Sequence, residues 1–316
     1  MKYLFILNQQ AGNARATTKL EAELRALREA QGLNYDLCPT STPEEAAHAI
    51  RHTCGGGGEV CVVACGGDGT FSGTVNVATE FPGVSVALMP VGTGNDFVRN
   101  FADREVFLDP AALQDGRTVE LDLLRCGDRL CTNMVNIGFD CEAARQAASL
   151  RRNPIMGEKL AYISGVAITL IRKPGVTVTA RIDDEPPEEH RLLLTAIANG
   201  AFCGGGFRAA PKSRLNDGLM DVCMVENVSR TKFLTLAGSY KAGTYLEKKS
   251  AEGVFSYRKC RRLELEFPGM QNICVDGDII ESDRLTVEVI PRAMRFVLPR
   301  GAVWEEAEAF DPVGTL

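Results

Sequence analysis

The stretch that most limits how this chain can fold is Val60-Cys-Val-Val-Ala-Cys-Gly-Gly-Asp-Gly-Thr-Phe71. Val60, Val62, Val63 and Ala64 form a short apolar run of the kind that lies buried on both faces of a parallel sheet. The run breaks at Gly66-Gly67-Asp68-Gly69 and resumes as a helical pattern from Thr70 to Thr79. Paired glycines after a strand permit positive φ and let main-chain N–H groups approach a ligand with no Cβ in the way. The helix adds unpaired N–H groups and a partial positive charge, a combination suited to phosphate. Asp68 does not belong in a bare phosphate cradle, because two like charges at about 4 Å repel by about 4 kcal/mol at an effective dielectric near 20. It belongs there if a divalent cation lies between the charges, or if it orients a group that carries a proton. A tight turn with Asp68 as a simple cap is the plain alternative.

The flanking pattern repeats the strand-to-helix theme. Tyr3 to Leu7 reads as a strand, followed by the polar loop Asn8-Gln-Gln-Ala-Gly12 and a helix carrying Leu20, Leu24 and Leu27 at helical spacing. Tyr35 to Cys38 is a short strand, and Thr42-Pro-Glu-Glu opens a helix with an N-cap, a proline in the first turn and two acids. Gly55 to Gly58 has the composition of a phosphate cradle but precedes a strand and lacks a following Gly-Lys-Ser/Thr, so it reads as a loop. Val84 to Leu88 is the next strand and leads into Pro90-Val-Gly-Thr-Gly-Asn-Asp-Phe-Val-Arg99, again predicted to enter a helix. This alternation indicates an α/β domain with a parallel sheet covered on both faces and ligands at the carboxyl ends of its strands. Two glycine-bearing strand ends bring Asp68, Asp96 and many backbone donors toward one crevice, although Asn95 or Asp96 could equally cap a helix.

From about Val119 the pattern changes to mainly antiparallel. Val119 to Arg125 and Leu130 to Ile137 alternate around a Cys-Gly-Asp turn, as a hairpin would. A helical, basic-rich stretch spans Asp140 to Lys173, and strand-like runs follow at Val176–Ile182, Leu192–Ala198, Leu219–Val225, Leu263–Phe267, Ile273–Val275 and Leu285–Ile290. Several strands with few helices predict a β-sandwich. Its acid-glycine turns, Asn216-Asp217-Gly218 and Asp276-Gly277-Asp278, are each an ordinary turn signal when taken alone.

Composition narrows the function classes. A chain of 316 residues suffices for two domains, and its net charge of −6 argues against a nucleic-acid binder. Eleven cysteines are scattered, odd in number and often inside strand-like runs, as expected of buried thiols in a reducing compartment. No Cys-x-x-Cys pair occurs, and His48, His52 and His190 form no ligand-like cluster, which argues against a zinc site. The apolar start is too short for a signal sequence, and Leu160–Ile171 is too short for a span. Arg145, Arg151, Arg152 and Lys159 before that stretch, with Arg172 and Lys173 after it, suit a helix that docks on an anionic bilayer surface, or one packed in a core with a charged edge. A cytoplasmic protein, at most peripheral to the membrane, is the expectation.

Taken in order, Asn8 to Gly12, Gly66-Gly-Asp-Gly-Thr70, Pro90 to Arg99, Asp217-Gly-Leu-x-Asp221 and Asp276-Gly-Asp278 resemble the motifs of the soluble diacylglycerol kinase-like family of bacterial lipid kinases. GGDGT alone also occurs in phosphofructokinases and NAD kinases, and the Gly-Thr-x-Asn-Asp-Phe and Asp-Gly-Leu-x-Asp motifs narrow the match. The resemblance covers nearly the whole chain. It implies a nucleotide domain of residues 1–121 and 294–316, a β-sandwich lipid-substrate domain of residues 122–293, and an active cleft between them. It implies ATP and Mg²⁺ as cofactors, a lipid substrate at the membrane surface, and allows a homodimer. Asn8, Gln9, Gln10, Ala11, Gly12, Thr42, Gly66, Gly67, Asp68, Gly69, Thr70, Phe71, Ser72, Thr93 and Asn95 would contact ATP. Asp68, Asp96 and Asp122 would hold the catalytic Mg²⁺, directly or through water. Asp217, with the carbonyls of Arg214 and Leu219, would bind a structural Mg²⁺. The family's last motif carries a Glu as the proposed base, and the match here is the shorter Asp278, with Asp276 as the alternative. In the first loop the usual Asn-Pro and Ser become Asn8-Gln9 and Gln10. The implied activity is phosphorylation of a diacylglycerol-like hydroxyl to give phosphatidic acid. A kinase for a sphingoid base, phosphatidylglycerol or a polyprenol, and a non-catalytic nucleotide- or lipid-binding protein, are the alternatives.

Overall fold

The computed structural model describes residues 1–10, 14–151 and 175–304. The chain divides into two compact units, Met1–Leu123 with Leu215–Gly218 and Ile290–Leu316, and Leu124–Arg214 with Leu219–Val289.

The first unit alternates β1 (Lys2–Asn8), α1 (Ala14–Gln31), β2 (Tyr35–Thr40), α2 (Pro43–Cys54), β3 (Val60–Gly66), α3 (Asp68–Ala78) and β4 (Ser85–Pro90). Its strands form a parallel sheet in the order β4-β3-β1-β2. Every residue of β3 is buried, as expected for a central strand covered on both faces. The register brings the carboxyl ends level, with Asn8 beside Thr40, Leu7 beside Cys65, and Gly66 beside Pro90. α2 begins where Thr42 Oγ1 accepts from Glu45 N at 3.2 Å, while the Glu45 carboxylate accepts from Ser41 N at 2.7 Å. The first bond satisfies an orphan donor of the helix start, and the second fastens the residue before the cap.

The helix predicted after β4 is instead a glycine loop followed by one 3-10 turn, Phe97–Asn100. Asn100 Nδ2 donates to the Phe97 carbonyl at 2.8 Å, the acceptor that a continuing α-helix would pair with Phe101 N–H. The turn delivers Phe97 and Phe101 into an aromatic cluster with Phe71, Phe107 and Phe296. Phe296 comes from the distal part of the chain and pairs in parallel with Val86 of β4. A short helix, α4 (Pro110–Gln114), closes this side.

β5 (Arg117–Cys126) begins in the first unit and ends in the second, where it forms a hairpin with β6 (Arg129–Cys131), followed by β7 (Met134–Gly138) and α5 (Phe139–Arg151). β8 (Val176–Ile182), β9 (Glu188–Ala198), β10 (Met220–Glu226), α6 (Arg230–Ala242), β11 (Phe255–Cys260) and β12 (Arg262–Val275) follow, and β13 (Asp278–Leu298) starts in the second unit and ends in the first. β9 and β12 each pair with both β7 and β8, so these four strands close on themselves around Val135, Ile137, Val178, Ile197, Leu265 and Ile273. A second core lies against Leu194, Ala196 and Cys223 and is covered by Leu236 and Tyr240 of α6 and by Tyr245.

Three details depart from the sequence pattern. The hairpin expected to run through Ile137 stops at Cys131, because Asp276 takes the next N–H groups out of the ladder, and β7 pairs with β9 and β12 instead. The runs Leu263–Phe267 and Ile273–Val275 are one strand whose register shifts between Glu266 and Gln271. α6 was not anticipated, although it carries a start signal (Ser229 Oγ accepts from Lys232 N at 3.2 Å) and a stop signal (Gly243 at φ 73°). Among the described residues no helix is long and apolar enough to cross a membrane. The stretch 160–171, with Arg152, Lys159, Arg172 and Lys173, lies outside the described residues.

Candidate functional site

At the level carboxyl ends of β1, β3 and β4, two glycine turns meet backbone to backbone. A Cβ on Gly92 would stand 2.4 Å from Gly67 Cα and 2.9 Å from Gly67 N, distances that only glycine permits. Gly92 N donates to Gly66 O at 3.2 Å, fastening the turns together. Asn8 joins them from β1, its Nδ2 donating to Thr70 Oγ1 at 2.9 Å and its Oδ1 accepting from Gln10 N at 2.9 Å. A Cβ on Gly66 would collide with the Thr70 side chain at 2.3 Å, so Gly66 is required for the same contact.

The two acids of these turns converge. Asp68 is the first residue of α3, and its Oδ1 accepts from Phe97 N at 3.0 Å, which links the two loops. A Cβ built on Gly94 would lie 3.0 Å from Asp68 Oδ2 and 3.9 Å from Asp96 Oδ2, so one carboxylate oxygen of each acid borders a space that a side chain there would fill. Arg99 braces this loop, its Nη2 donating to Gly94 O at 3.1 Å and its Nε lying 3.1 Å from Asp96 Oδ1. Asn95 adopts φ 49° and donates through Nδ2 to Pro90 O and Gly92 O, at 3.0 and 2.8 Å. Its buried Oδ1 has no hydrogen-bond partner among the described residues. Two carboxylates bordering one space offer oxygen donors, the kind that fits a hard cation. No group of three or more ligating side chains converges among the described residues. Mg²⁺ is commonly held by one or two carboxylates while water and phosphate oxygens fill the rest of its shell.

The other expected nucleotide contacts are distributed unevenly. Gln9 is tied to the β2–α2 corner, its N donating to Thr40 O and its Oε1 accepting from Ser41 Oγ at 3.2 Å, which brings it near Thr42. Thr42 itself is accounted for by its cap. Gly67, Gly69, Ser72 and Thr93 reach the surface to varying degrees. The Phe71 side chain is wholly buried, its ring 4.5 Å from that of Phe97, and its N–H donates to Gly67 O. Ala11 and Gly12 lie outside the described residues.

Asp122, the third acid expected at the catalytic Mg²⁺, lies on β5. It is fully buried, and its carboxylate accepts from Gly218 N at 2.7 Å and Arg292 N at 2.8 Å. Its own N–H donates to Leu215 O at 2.7 Å. Burial raises its pKa above the ordinary carboxylate value, the two N–H donors oppose the rise, and the Asp217 charge adds to it. Asp122 thus anchors the short segment that bears Asp217, with Arg214 and Leu219 on either side of that segment in the chain.

In the second unit the two hairpin acids differ sharply. Asp276, at φ 48°, accepts from Thr132 N (2.6 Å), Thr132 Oγ1 (2.9 Å), Asn133 N (3.0 Å), Met134 N (3.1 Å) and Cys131 Sγ (3.1 Å). With both oxygens engaged, it is an anchor rather than an available proton acceptor. Asp278 is exposed and pairs at 3.1 Å with Arg129, also exposed. Sequence reasoning missed the network behind Asp276, in which Asn199 Nδ2 donates to Thr132 O, Asn133 Nδ2 donates to Phe202 O, and Ser213 Oγ donates to Asn199 O. The Asn199-Gly200 pair before the glycine-rich loop was the available signal. Asp221, noted only as a motif member, is fully buried and held by Lys259 Nζ at 2.7 Å.

Comparison with known proteins matches both halves. Residues 2–126 match the diacylglycerol kinase catalytic domain, and residues 133–298 match the YegS C-terminal NAD kinase beta sandwich-like domain. A Pseudomonas aeruginosa protein named "Probable lipid kinase YegS-like" is 28% identical over 95% of this chain and 95% of its own. A Mycobacterium tuberculosis protein named "Diacylglycerol kinase" is 29% identical over 80% of this chain and 82% of its own. A crystal structure titled as a diacylglycerol kinase from Bacillus anthracis shares the fold, with a TM-score of 0.69 at 17% identity over 94% of this chain and 96% of that one. The chain belongs to the diacylglycerol kinase-like family of lipid kinases, an enzyme family whose kinase activity implies ATP as phosphoryl donor.

Proposed function

We propose that this enzyme transfers the γ-phosphoryl group of ATP, with Mg²⁺, to the free hydroxyl of a diacylglycerol-like lipid, giving phosphatidic acid. The observation that carries the reading is the convergence of Asp68 and Asp96 on the space over Gly94, beside the Gly67–Gly92 approach. In this reading the N–H groups of residues 67–70, at the start of α3, bind phosphate oxygens by direct donation. Asp68 and Asp96 hold Mg²⁺, which when bound offsets the charge of the transferring phosphoryl group. Asn95 keeps the second turn in its left-handed conformation, and Arg99 keeps Asp96 aimed. Asp122 fixes the segment carrying Asp217, where a second, structural Mg²⁺ is held. Asp278 accepts the hydroxyl proton at its carboxylate, and Asp276 fixes the backbone at the other side of the same hairpin. The surface of the bilayer supplies the substrate.

A second reading keeps the chemistry and changes the acceptor, because the relatives carry both the YegS-like and the diacylglycerol kinase names. The test is ATP turnover by purified protein against diacylglycerol, a sphingoid base, phosphatidylglycerol and a polyprenol in mixed micelles. Turnover confined to diacylglycerol and lost in folded Asp68→Asn is expected. Turnover confined to another lipid installs the second reading. ATP binding with no turnover on any lipid makes the chain a binding protein.

A further inference from the structure

His48 and His52, which looked unrelated along the sequence, stand one turn apart on the exposed face of α2. Their rings are parallel within 6° and 6.4 Å apart between centroids. We propose that this pair is a surface chelate for a borderline divalent metal such as Ni²⁺, Cu²⁺ or Zn²⁺, separate from the Mg²⁺ chemistry of the kinase site.

Residues at i and i+4 of a helix are neighbours, and two imidazoles so placed reach one ion through about 2.0–2.1 Å metal–nitrogen bonds. The helix fixes the spacing of the two backbone positions before the metal arrives, and side-chain rotation brings one nitrogen of each exposed ring to the ion. Imidazole selects Ni²⁺, Cu²⁺ and Zn²⁺ over Mg²⁺ and Ca²⁺, which prefer oxygen. The surroundings favour a cation. The pair lines an open groove of about 460 Å³ with Glu44, Ala47 and Arg51, so water has room to complete the shell. His52 lies in the last turn of α2, where the helix dipole is negative. Arg51 is the opposing charge, and the Glu80 carboxylate offsets it through a two-point pair at 3.0 and 2.7 Å. Only two protein ligands are supplied, consistent with no three-ligand group among the described residues.

The chemistry predicts a site that holds metal in the absence of ATP. Untagged, chelator-stripped protein is titrated with Ni²⁺ by calorimetry, and Cu²⁺-loaded protein is examined by electron paramagnetic resonance. Expected are Ni²⁺ binding that weakens by on the order of tenfold or more in both His48→Ala and His52→Ala, and a Cu²⁺ spectrum showing two nitrogen ligands that falls to one in either variant. His190→Ala and Asp217→Ala should leave Ni²⁺ affinity unchanged. Both ring residues are exposed, so circular dichroism should match wild type. The proposal is overturned if the single histidine variants bind Ni²⁺ as tightly as wild type, if each loses only about twofold as independent ligands would, or if Asp217→Ala removes the binding.

Discussion

Removing the Asp276 carboxylate should unfold this protein before it impairs any chemistry. The carboxylate is the common acceptor for three main-chain N–H groups, a hydroxyl and a thiol. Thr132, Asn133 and Met134 are 2, 6 and 3% exposed, so water cannot readily replace the acceptor in Asp276→Ala. A buried donor left unsatisfied costs about 1–3 kcal/mol. Three main-chain donors, less the relief of no longer holding a charge beside the core, amount to about 3–5 kcal/mol, the range seen when one partner of a buried charged contact is deleted. For a unit of this size that lowers Tm by on the order of 10 °C. Asp276→Asn keeps one oxygen and turns an NH₂ group toward donors, so it should fall between wild type and Asp276→Ala. Asp278→Asn loses only an exposed pair with Arg129, and such pairs contribute about 0–1 kcal/mol, so its Tm should stay near wild type while lipid phosphorylation collapses and ATP still binds. Differential scanning calorimetry and a mixed-micelle kinase assay on the same preparations separate the two acids. If Asp276→Ala melted with wild type yet lost turnover, while Asp278→Asn kept it, the anchor reasoning would be refuted and Asp276 would be the proton acceptor.

Three other outcomes are expected. Gly92→Ala puts a Cβ against the Gly67 backbone, which cannot yield as a side chain can, and should cost about 1–3 kcal/mol in thermal melts, whereas Gly69→Ala meets nothing within 4 Å and should melt at or above wild type. Added Mg²⁺ without ATP should raise the Tm of wild type more than that of Asp217→Ala, since a bound ion stabilises only the folded state; equal shifts would make the turn at Asp217 an ordinary one. Asp140, whose carboxyl is pushed up to about 6 by burial against an opposing hydrogen bond from Tyr240, binds its proton more tightly folded than unfolded. Stability should therefore fall as pH rises from about 4 to 6, and Asp140→Asn should melt higher than wild type by a margin that grows across that window; a pH-independent difference would count against the burial argument.

The parts of the fold that were legible in the sequence are those set by local chemistry. The apolar run of β3, the Thr42 cap and the GGDGT turn each declare themselves within a few residues, because burial on two faces, orphan helix donors and close backbone approach demand particular side chains at particular offsets. Gly67 and Gly92 are 25 positions apart, and although each turn was legible, the demand for glycine comes from the contact between the two turns, which no local stretch of sequence shows. What escaped was decided by partners far along the chain. The hairpin after β5 reads as continuous until Asp276 claims the N–H groups of residues 132–134, and nothing local to those residues says so. Asp276 and Asp278 are equivalent in the motif and opposite in the structure, because one finds five donors and the other finds solvent and a single arginine. Asp217 sits in a turn of common type, and its place is set by Asp122, whose buried carboxylate accepts from Gly218. The same distinction explains His48 and His52. Their spacing of four was present in the sequence, but it acquires chemical meaning only once residues 43–54 are a helix whose outward face carries both rings and whose neighbouring arginine is engaged elsewhere. A motif names the residues that chemistry could use, and the long-range hydrogen bonds decide which of them are left free to perform it.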